Sequence, residues 1–369
     1  MEFTISKNAL QKELGFVQGT VEKKNTIPAL SNILIESVGE GTIRLIGTDL
    51  DVTLRCEAEA EIKTPGSMCV SARKLFEIAR VLPDAPVSFR REENNWVTVK
   101  CERSNFRLAG VERESFPDVP SFKSASVKLS ANIFKTLIDR TIFAITLEES
   151  RYTLSGAKFV LGKHGARMVT TDGHRLAFIE RKEIGTSVPE EIDILIPRKT
   201  LSELTKLMAS HEGEIGLGAD ENHIYFEVGP RLLISRTLTG QFPNYEMVMP
   251  KGNDKSADFD STLLGQAIRR VALMADDRSH AIRFHLTPGS LHISSQTAEE
   301  GEARETVSTE YAGEETEIGF NAAYLQDFLN VMNGGGLTFE FKDGNSQAQL
   351  RPTSDEDYDY KYVVMPMRI

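Results

Sequence analysis

Three cysteines in 369 residues, Cys56, Cys69 and Cys101, are too few and too scattered for a disulfide framework, and no CxxC pair exists to hold a zinc ribbon. No apolar run approaches the roughly 18 residues of a membrane span. The opening MEFTISKNAL lacks the apolar stretch of a secretory leader, so the chain is expected to be cytoplasmic. The familiar catalytic spacings are missing as well: HExxH, GxSxG, GxxxxGK[ST] and GxGxxG do not occur. Positive charge is in deficit, with 43 Lys and Arg against 54 Asp and Glu and a net charge of −11. Taken as an average, that deficit argues against a phosphate-binding surface.

What the chain does have is a repeat. SARKLFEIARVL (Ser71 to Leu82), PRKTLSELTKLM (Pro197 to Met208) and NAAYLQDFLNVM (Asn321 to Met332) stand 126 and 124 residues apart. Each follows a short strand-like run (MCV, DILI and EIGF), and each predicts a helix with an i, i+3, i+6, i+7 apolar stripe. The stripes are Leu75, Ile78, Val81 and Leu82, then Leu201, Leu204, Leu207 and Met208, then Leu325, Phe328, Val331 and Met332. A second amphipathic helix opens each copy: KNALQKELGFV, SANIFKTLIDRTIF and DSTLLGQAIRRVALM. Alternating hairpin runs and the pair Phe116-Pro117, recurring as Phe242-Pro243, keep nearly the same step. The expectation is an α+β protein of three repeated domains, 1–123, 124–252 and 253–369. Each has two helices packed on antiparallel sheets.

The stretch TTDGHRLAF (Thr170 to Phe178) looks catalytic, because Asp172 and His174 sit two residues apart beside Gly173 and Arg175. A hydrolase using that pair is one reading. The repeat supplies another, because Thr48-Asp49 in GTDLDVTLRC aligns with Thr171-Asp172 and brings no histidine. A carboxylate at such a turn accepts hydrogen bonds from the following amides. The remaining histidines, 164, 211, 223, 280, 285 and 292, are scattered and offer no metal-ligand spacing. Asn333-Gly334-Gly335-Gly336 stands where a helix C-cap belongs. Neither a metal nor a cofactor is expected, nor an enzyme.

Charge is segregated. Residues 7–18, 71–82, 130–143, 198–210, 261–274 and 322–332, taken as the six helices, together carry +7, which leaves −18 for the rest of a chain whose total is −11. Arg73, Lys74, Arg198, Lys199, Arg269 and Arg270 dominate the positive set. A shared helical surface of this sign suits a polyanion, with sequence-independent and salt-sensitive affinity.

The chain resembles the bacterial DNA polymerase III beta-subunit family over its full length. The likeness is carried by TDGHRLA (Thr171 to Ala177), IPRK (Ile196 to Lys199), GQFPNYE (Gly240 to Glu246), IGFNAAYL (Ile318 to Leu325) and the terminal YVVMPMRI. The resemblance implies a head-to-tail homodimer that forms a ring, with helices lining a hole for duplex DNA and sheets outside. DNA contacts would come from Lys24, Arg73, Tyr152, Thr153, Arg198 and Lys199. An apolar pocket would take short motifs of the polymerase III alpha subunit, the clamp loader, other DNA polymerases and repair proteins. Its implied residues are Leu154, Thr171, Gly173, His174, Arg175, Leu176, Pro243, Val248, Asn321, Tyr324, Val363, Met365, Pro366, Met367 and Arg368.

Within that set Leu176 and Met365 would meet the partner's apolar anchors, and His174, Arg175 and Arg368 its polar groups. Met247 stands where a basic residue is usual in the family, Ser279 where a larger apolar one is expected, and Lys24 where arginine is usual. The dimer joint would pair a basic edge with an acidic one. The basic edge holds Lys74, Arg103 and Arg107. The acidic edge, AEEGEARE, holds Glu299, Glu300 and Glu302, with Leu273 and Met274 as an apolar centre. A monomeric three-domain adaptor is the remaining alternative. Hole and pocket are expected to be separable, so that reversing charge at Arg73 and Arg198 weakens DNA loading and spares peptide binding.

Overall fold

The computed structural model describes residues 1–21, 27–122, 125–148, 150–184, 188–297, 301–354 and 357–368. Among them are six α-helices: α1 (Lys7–Thr20), α2 (Ala72–Val81), α3 (Ala131–Asp139), α4 (Arg198–Met208), α5 (Ser261–Ala272) and α6 (Ala322–Met332). They fall two to a repeat, each directly after a strand, as the sequence period requires. Polar residues at the strand ends start several of them. Ser6 accepts from the Ala9 amide, Ser71 from Lys74, Asp260 from Leu263, and Asn321 from Ala323 and Tyr324. Each thereby satisfies an N–H that the helix cannot. At the far end of α6, Asn333 takes the left-handed conformation (φ +53°), followed by Gly334 and Gly335 at +98° and +92°. This is the expected C-cap.

The apolar stripe of α4 is buried as expected, through Leu201, Leu204, Leu207 and Met208. The other two are rotated. In α2 the core side is Ala72, Leu75 and Ala79, continued by Leu82 beyond the helix end, and Val81 is 76 % exposed. In α6 it is Ala322, Leu325, Phe328 and Leu329, while Val331 and Met332 lie half-buried. In α2 the alanines facing the core are small and weakly hydrophobic, so the larger residues alone mark a stripe that takes in the exposed Val81.

By its contacts the chain forms two compact units, Met1–Asn132 with Lys199–Thr237, and Ile133–Arg198 with Leu238–Ile369. The second repeat is shared between them. In the first unit a nine-stranded antiparallel sheet passes from one repeat into the next where Val52–Glu59 pairs with Arg231–Arg236, in register Leu54↔Leu233. In the second unit an eight-stranded sheet does the same where Arg175–Arg181 pairs with Asp359–Val364, in register Leu176↔Val363. The junction has one design built twice. Arg236 N–H donates to the Asp51 carbonyl at 2.8 Å, and Met365 N–H to the His174 carbonyl at 2.9 Å. The C-terminal strand therefore bridges two repeats, lying between Arg175–Arg181 and Ala348–Pro352.

Smaller sheets complete each unit. Five strands in the first end at the edge strand Ser104–Leu108, and four in the second end at Gly301–Ser308. All three cysteines are free and buried. Burial pushes the Cys69 thiol up to about 11 and raises Cys56 and Cys101 as well. Neutral buried thiols are poor nucleophiles.

Candidate functional site

The turn after strand Gly165–Thr171 organises the site. Asp172 Oδ1 accepts the amides of His174 (2.9 Å) and Arg175 (3.0 Å). Thr171 Oγ1 accepts from Gly173 N–H at 3.1 Å and donates to the Arg175 carbonyl at 2.6 Å. Gly173 has φ +90°, and an added Cβ would come within 2.9 Å of Arg151 Nη1, so only glycine fits without displacement. The first-repeat turn is built alike. Asp49 Oδ1 accepts from Asp51 and Val52, and Leu50, at φ +81°, holds the place of Gly173. The turn reading of Asp172 thus holds. Its second oxygen binds Arg175 Nε at 3.1 Å, while the His174 ring lies against Tyr324 with centroids 6.3 Å apart.

Beside this turn is an apolar cavity of about 100 Å³, lined by Leu154, Thr171, Gly173, His174, Arg175, Leu176, Pro243, Tyr245, Val248, Val363 and Met365. Ten of these are among the fifteen expected. Under it lies a cluster of Val169, Phe178, Leu195 and Phe242, with Leu238 and Met249 packed alongside. Cross-strand pairing explains the assembly: Thr171↔Leu176 and Leu176↔Val363 put three residues from three strands in one row. A wider depression elsewhere, containing Arg90, Glu92 and Lys100, is lined mostly by charged and polar side chains.

Five expected residues do not line the cavity. Asn321 caps α6, and its Nδ2 donates to the Ser279 carbonyl at 3.2 Å. Tyr324 supports the ring of His174 and stacks on Arg175, whose guanidinium carbon is 4.5 Å from the ring centroid. Pro366 is half-buried beyond the terminal strand, Met367 N–H donates to the Gly319 carbonyl at 2.8 Å, and Arg368 is exposed. Ser279 also stays away from the rim, its hydroxyl bound to Asp276 at 3.0 Å. One wall was missed. Tyr245 sits two residues after Pro243 in the GQFPNYE stretch, and its hydroxyl accepts from Arg167 Nη1 at 2.8 Å. An aromatic just after a Pro-Asn turn was the available signal.

Arg175 needs a correction. It was expected to orient a ligand's polar groups, but its donors turn inward. Nε reaches Asp172, Nη1 reaches Asp327 at 2.7 Å, and Nη2 reaches the Phe143 carbonyl at 2.7 Å. A buried guanidinium so engaged is a brace for the turn and for α6, with little left for a ligand.

The basic residues are placed as follows. In the second unit Tyr152 is 52 % exposed on the short helical turn Tyr152–Leu154, with Thr153 half-buried beside it. Arg198 is half-buried, its Nη1 donating to the carbonyls of Ile142 (3.3 Å) and Ile145 (3.1 Å). In the first unit Lys199 is ion-paired with Asp49 and reaches the Thr20 carbonyl at 3.3 Å. Arg73 is exposed on α2, bridged to Glu77 at 2.8 Å. Lys24 lies outside the described residues, as do Glu299 and Glu300.

Arg103 precedes the edge strand Ser104–Leu108 and Arg107 lies within it, Arg107 bridging to Glu92 at 2.6 Å over the Trp96 ring, and Lys74 pairs with Glu77 at 3.0 Å. Glu302 lies on the other edge strand, paired with Arg304 at 2.9 Å. Leu273 is 75 % exposed and Met274 half-buried at the end of α5. Among the described residues, no group of three or more His, Cys, Asp or Glu is arranged to hold a metal ion.

Repeated α+β domains that carry an apolar cavity beside a turn held by Asp172 define the class of the fold. Three family models cover the chain in order. The DNA polymerase III beta subunit N-terminal domain matches residues 1–120, the central domain 128–244 and the C-terminal domain 246–368. Beta sliding clamps of Pseudomonas putida and Escherichia coli are 37 % and 32 % identical to it, over the full length of both chains. A sliding clamp from Pseudomonas aeruginosa, crystallised bound to griselimycin, superposes with TM-score 0.93 at 36 % identity, and one from Bartonella birtlesii with 0.94 at 31 %. Both alignments cover all of each chain. The chain belongs to the DNA polymerase III beta-subunit family of sliding clamps, the processivity factors of the replicative polymerase.

Proposed function

We propose that two copies join head to tail into a ring around duplex DNA, and that the pocket between Leu154, Leu176, Val248 and Met365 holds short apolar motifs of partner proteins. The partners are the polymerase alpha subunit, the clamp loader, other DNA polymerases and repair proteins, met in the cytoplasm. The domains run 1–123, 124–252 and 253–369. The protein itself catalyses nothing; topology supplies retention, and Lys24, Arg73, Tyr152, Thr153, Arg198 and Lys199 supply weak, sequence-independent contact.

The observation that carries this reading is the convergence of ten anticipated residues on one apolar cavity. Adaptable Met365 beside fixed Leu176 and Val363 suits a site that accepts several related peptides. Two features support the joint. Among the described residues, Arg103 and Arg107 lie beside and on a strand that ends one sheet, and Glu302 on a strand that ends another, so each stands at an open sheet edge. Exposed Leu273 supplies an apolar centre next to the acidic edge. Unlike edges are what a heterologous contact needs.

The test is a fluorescence titration with a labelled QLxLF-type peptide on the wild type and on Met365→Asp. Met365 is the better variant because Leu176 is only 1 % exposed, and a charge there would disrupt the core. Binding near micromolar, about −8 kcal/mol, that is lost in the folded variant supports the pocket. No binding to the wild type refutes it.

A further inference from the structure

We propose that Arg198 is a positioning residue for the peptide pocket, acting through the loop 142–155 that carries Leu154. The inference rests on the reading of the cavity as a peptide site and adds a residue that does not line it. The loop leaves α3 and enters strand Gly156–Gly162. Its near end is held by the Arg198 side chain, through the carbonyls of Ile142 and Ile145 at 3.3 and 3.1 Å. Its far end is held by the Arg198 backbone, whose N–H donates to the Ser155 carbonyl at 3.1 Å. One residue thus closes both ends of the loop.

Other bonds carry this constraint to the cavity wall. Thr146 N–H donates to the Leu154 carbonyl at 3.3 Å, so the two ends are tied next to the lining side chain. Arg151, in the middle of the loop, donates to the Asp172 carbonyl at 2.6 Å and lies over Gly173 in the pocket turn. Arg175 holds the Phe143 carbonyl between the two that Arg198 holds. Without Arg198 the Ile142 and Ile145 carbonyls lose charge-assisted partners, and Leu154 loses its fixed place. A wall that must be ordered during binding costs affinity. Arg198 is therefore a poor probe of DNA contact alone, and the expected separation of hole from pocket fails at this residue.

The experiment is a double-mutant cycle on the full chain, read by anisotropy of the labelled QLxLF-type peptide, with Arg198→Ala, Leu154→Ala and both. Arg198→Ala is expected to bind about ten-fold more weakly. In the Leu154→Ala background the same change is expected to matter less than about two-fold, because the two residues act as one unit. Lys12→Ala, which removes an exposed charge from α1 in the other unit, leaves affinity at the wild-type value. Hydrogen exchange rises in residues 142–155 while the thermal midpoint stays put.

Wild-type affinity in Arg198→Ala, or a full additive loss on top of Leu154→Ala, overturns the proposal. A wild type that fails to bind the peptide removes the pocket reading itself, and the proposal with it. If Arg198→Ala does not fold, Arg198→Lys replaces it in the same cycle. A partial, non-additive loss supports the proposal, and unchanged affinity overturns it.

Discussion

A single buried ion pair gives the sharpest test of how the first unit is held together. Glu13 on α1 and Arg231 on the strand Arg231–Arg236 meet in a two-bond fork of 2.7 and 2.6 Å. Their side chains are 6 % and 7 % exposed, and Arg231 also stacks on Phe16 at 4.3 Å. The pair joins a helix of the first repeat to a strand of the second. Glu13→Gln keeps the shape and removes the charge, which leaves a buried guanidinium without its counter-ion. Breaking such a pair costs about 3–5 kcal/mol, whereas replacing both partners with apolar residues of similar volume is nearly neutral. For a unit of this size about 2–4 °C is lost per kcal/mol, so the thermal midpoint of this unit should fall by roughly 6–20 °C.

The assay is calorimetry with a parallel urea titration, because two units need not melt as one. Glu13→Met with Arg231→Met should recover most of the loss, a coupling of at least about 2 kcal/mol. Additive losses, or a Glu13→Gln midpoint within about 2 °C of wild type, would show that the fork contributes little and that the sheet alone joins the repeats.

Three further outcomes are expected. Tyr245→Ala removes a pocket wall and its bond from Arg167, so peptide affinity should fall about ten-fold; an unchanged titration would mean that the peptide sits elsewhere. Leu273→Asp places a charge in the apolar centre of the proposed joint and should convert dimer to monomer in sedimentation; a dimer that persists would move the joint to another surface. Burial pushes the Asp220 carboxyl up, but the Tyr225 hydroxyl and the amides of Asn222 and His223 outweigh it and bring it from 3.8 to about 2. That stabilisation is present above pH 3.8 and is lost as pH falls through about 2. Asp220→Asn should therefore flatten the acid-unfolding curve in that window, and superimposable curves would contradict the assignment.

Much of this architecture was legible in the sequence, because helix stripes are local signals that recur in all three repeats and the Thr-Asp turn recurs in two. Asp172 could be assigned to a turn because Asp49 offered the same peptide without a histidine. Strand partnership was not legible. Nothing in YVVM states that its neighbour is Arg175–Arg181 of another repeat, since pairing between distant edges depends on the whole sheet. The rotated stripe of α2 shows the limit of reading large residues only: Ala72 and Ala79 fill the core where Ile78 and Val81 were expected. Within the pocket, side-chain type was legible but direction was not. Arg175 carries a ligand-like guanidinium, and three bonds turn it inward. Arg198 was read as a DNA contact from its charge, whereas its bonds to the Ile142 and Ile145 carbonyls follow from tertiary placement alone.

The claim that the protein works by enclosure has a direct test. The labelled protein, loaded by its clamp loader on a nicked circular duplex, is challenged with about 0.5 M salt, where the Debye length is near 4 Å and phosphate contacts are screened. The account predicts retention on the circle and rapid loss when the same DNA is cut once. Equal, salt-sensitive release from circular and cut DNA would contradict it, and would leave a protein that touches DNA without surrounding it.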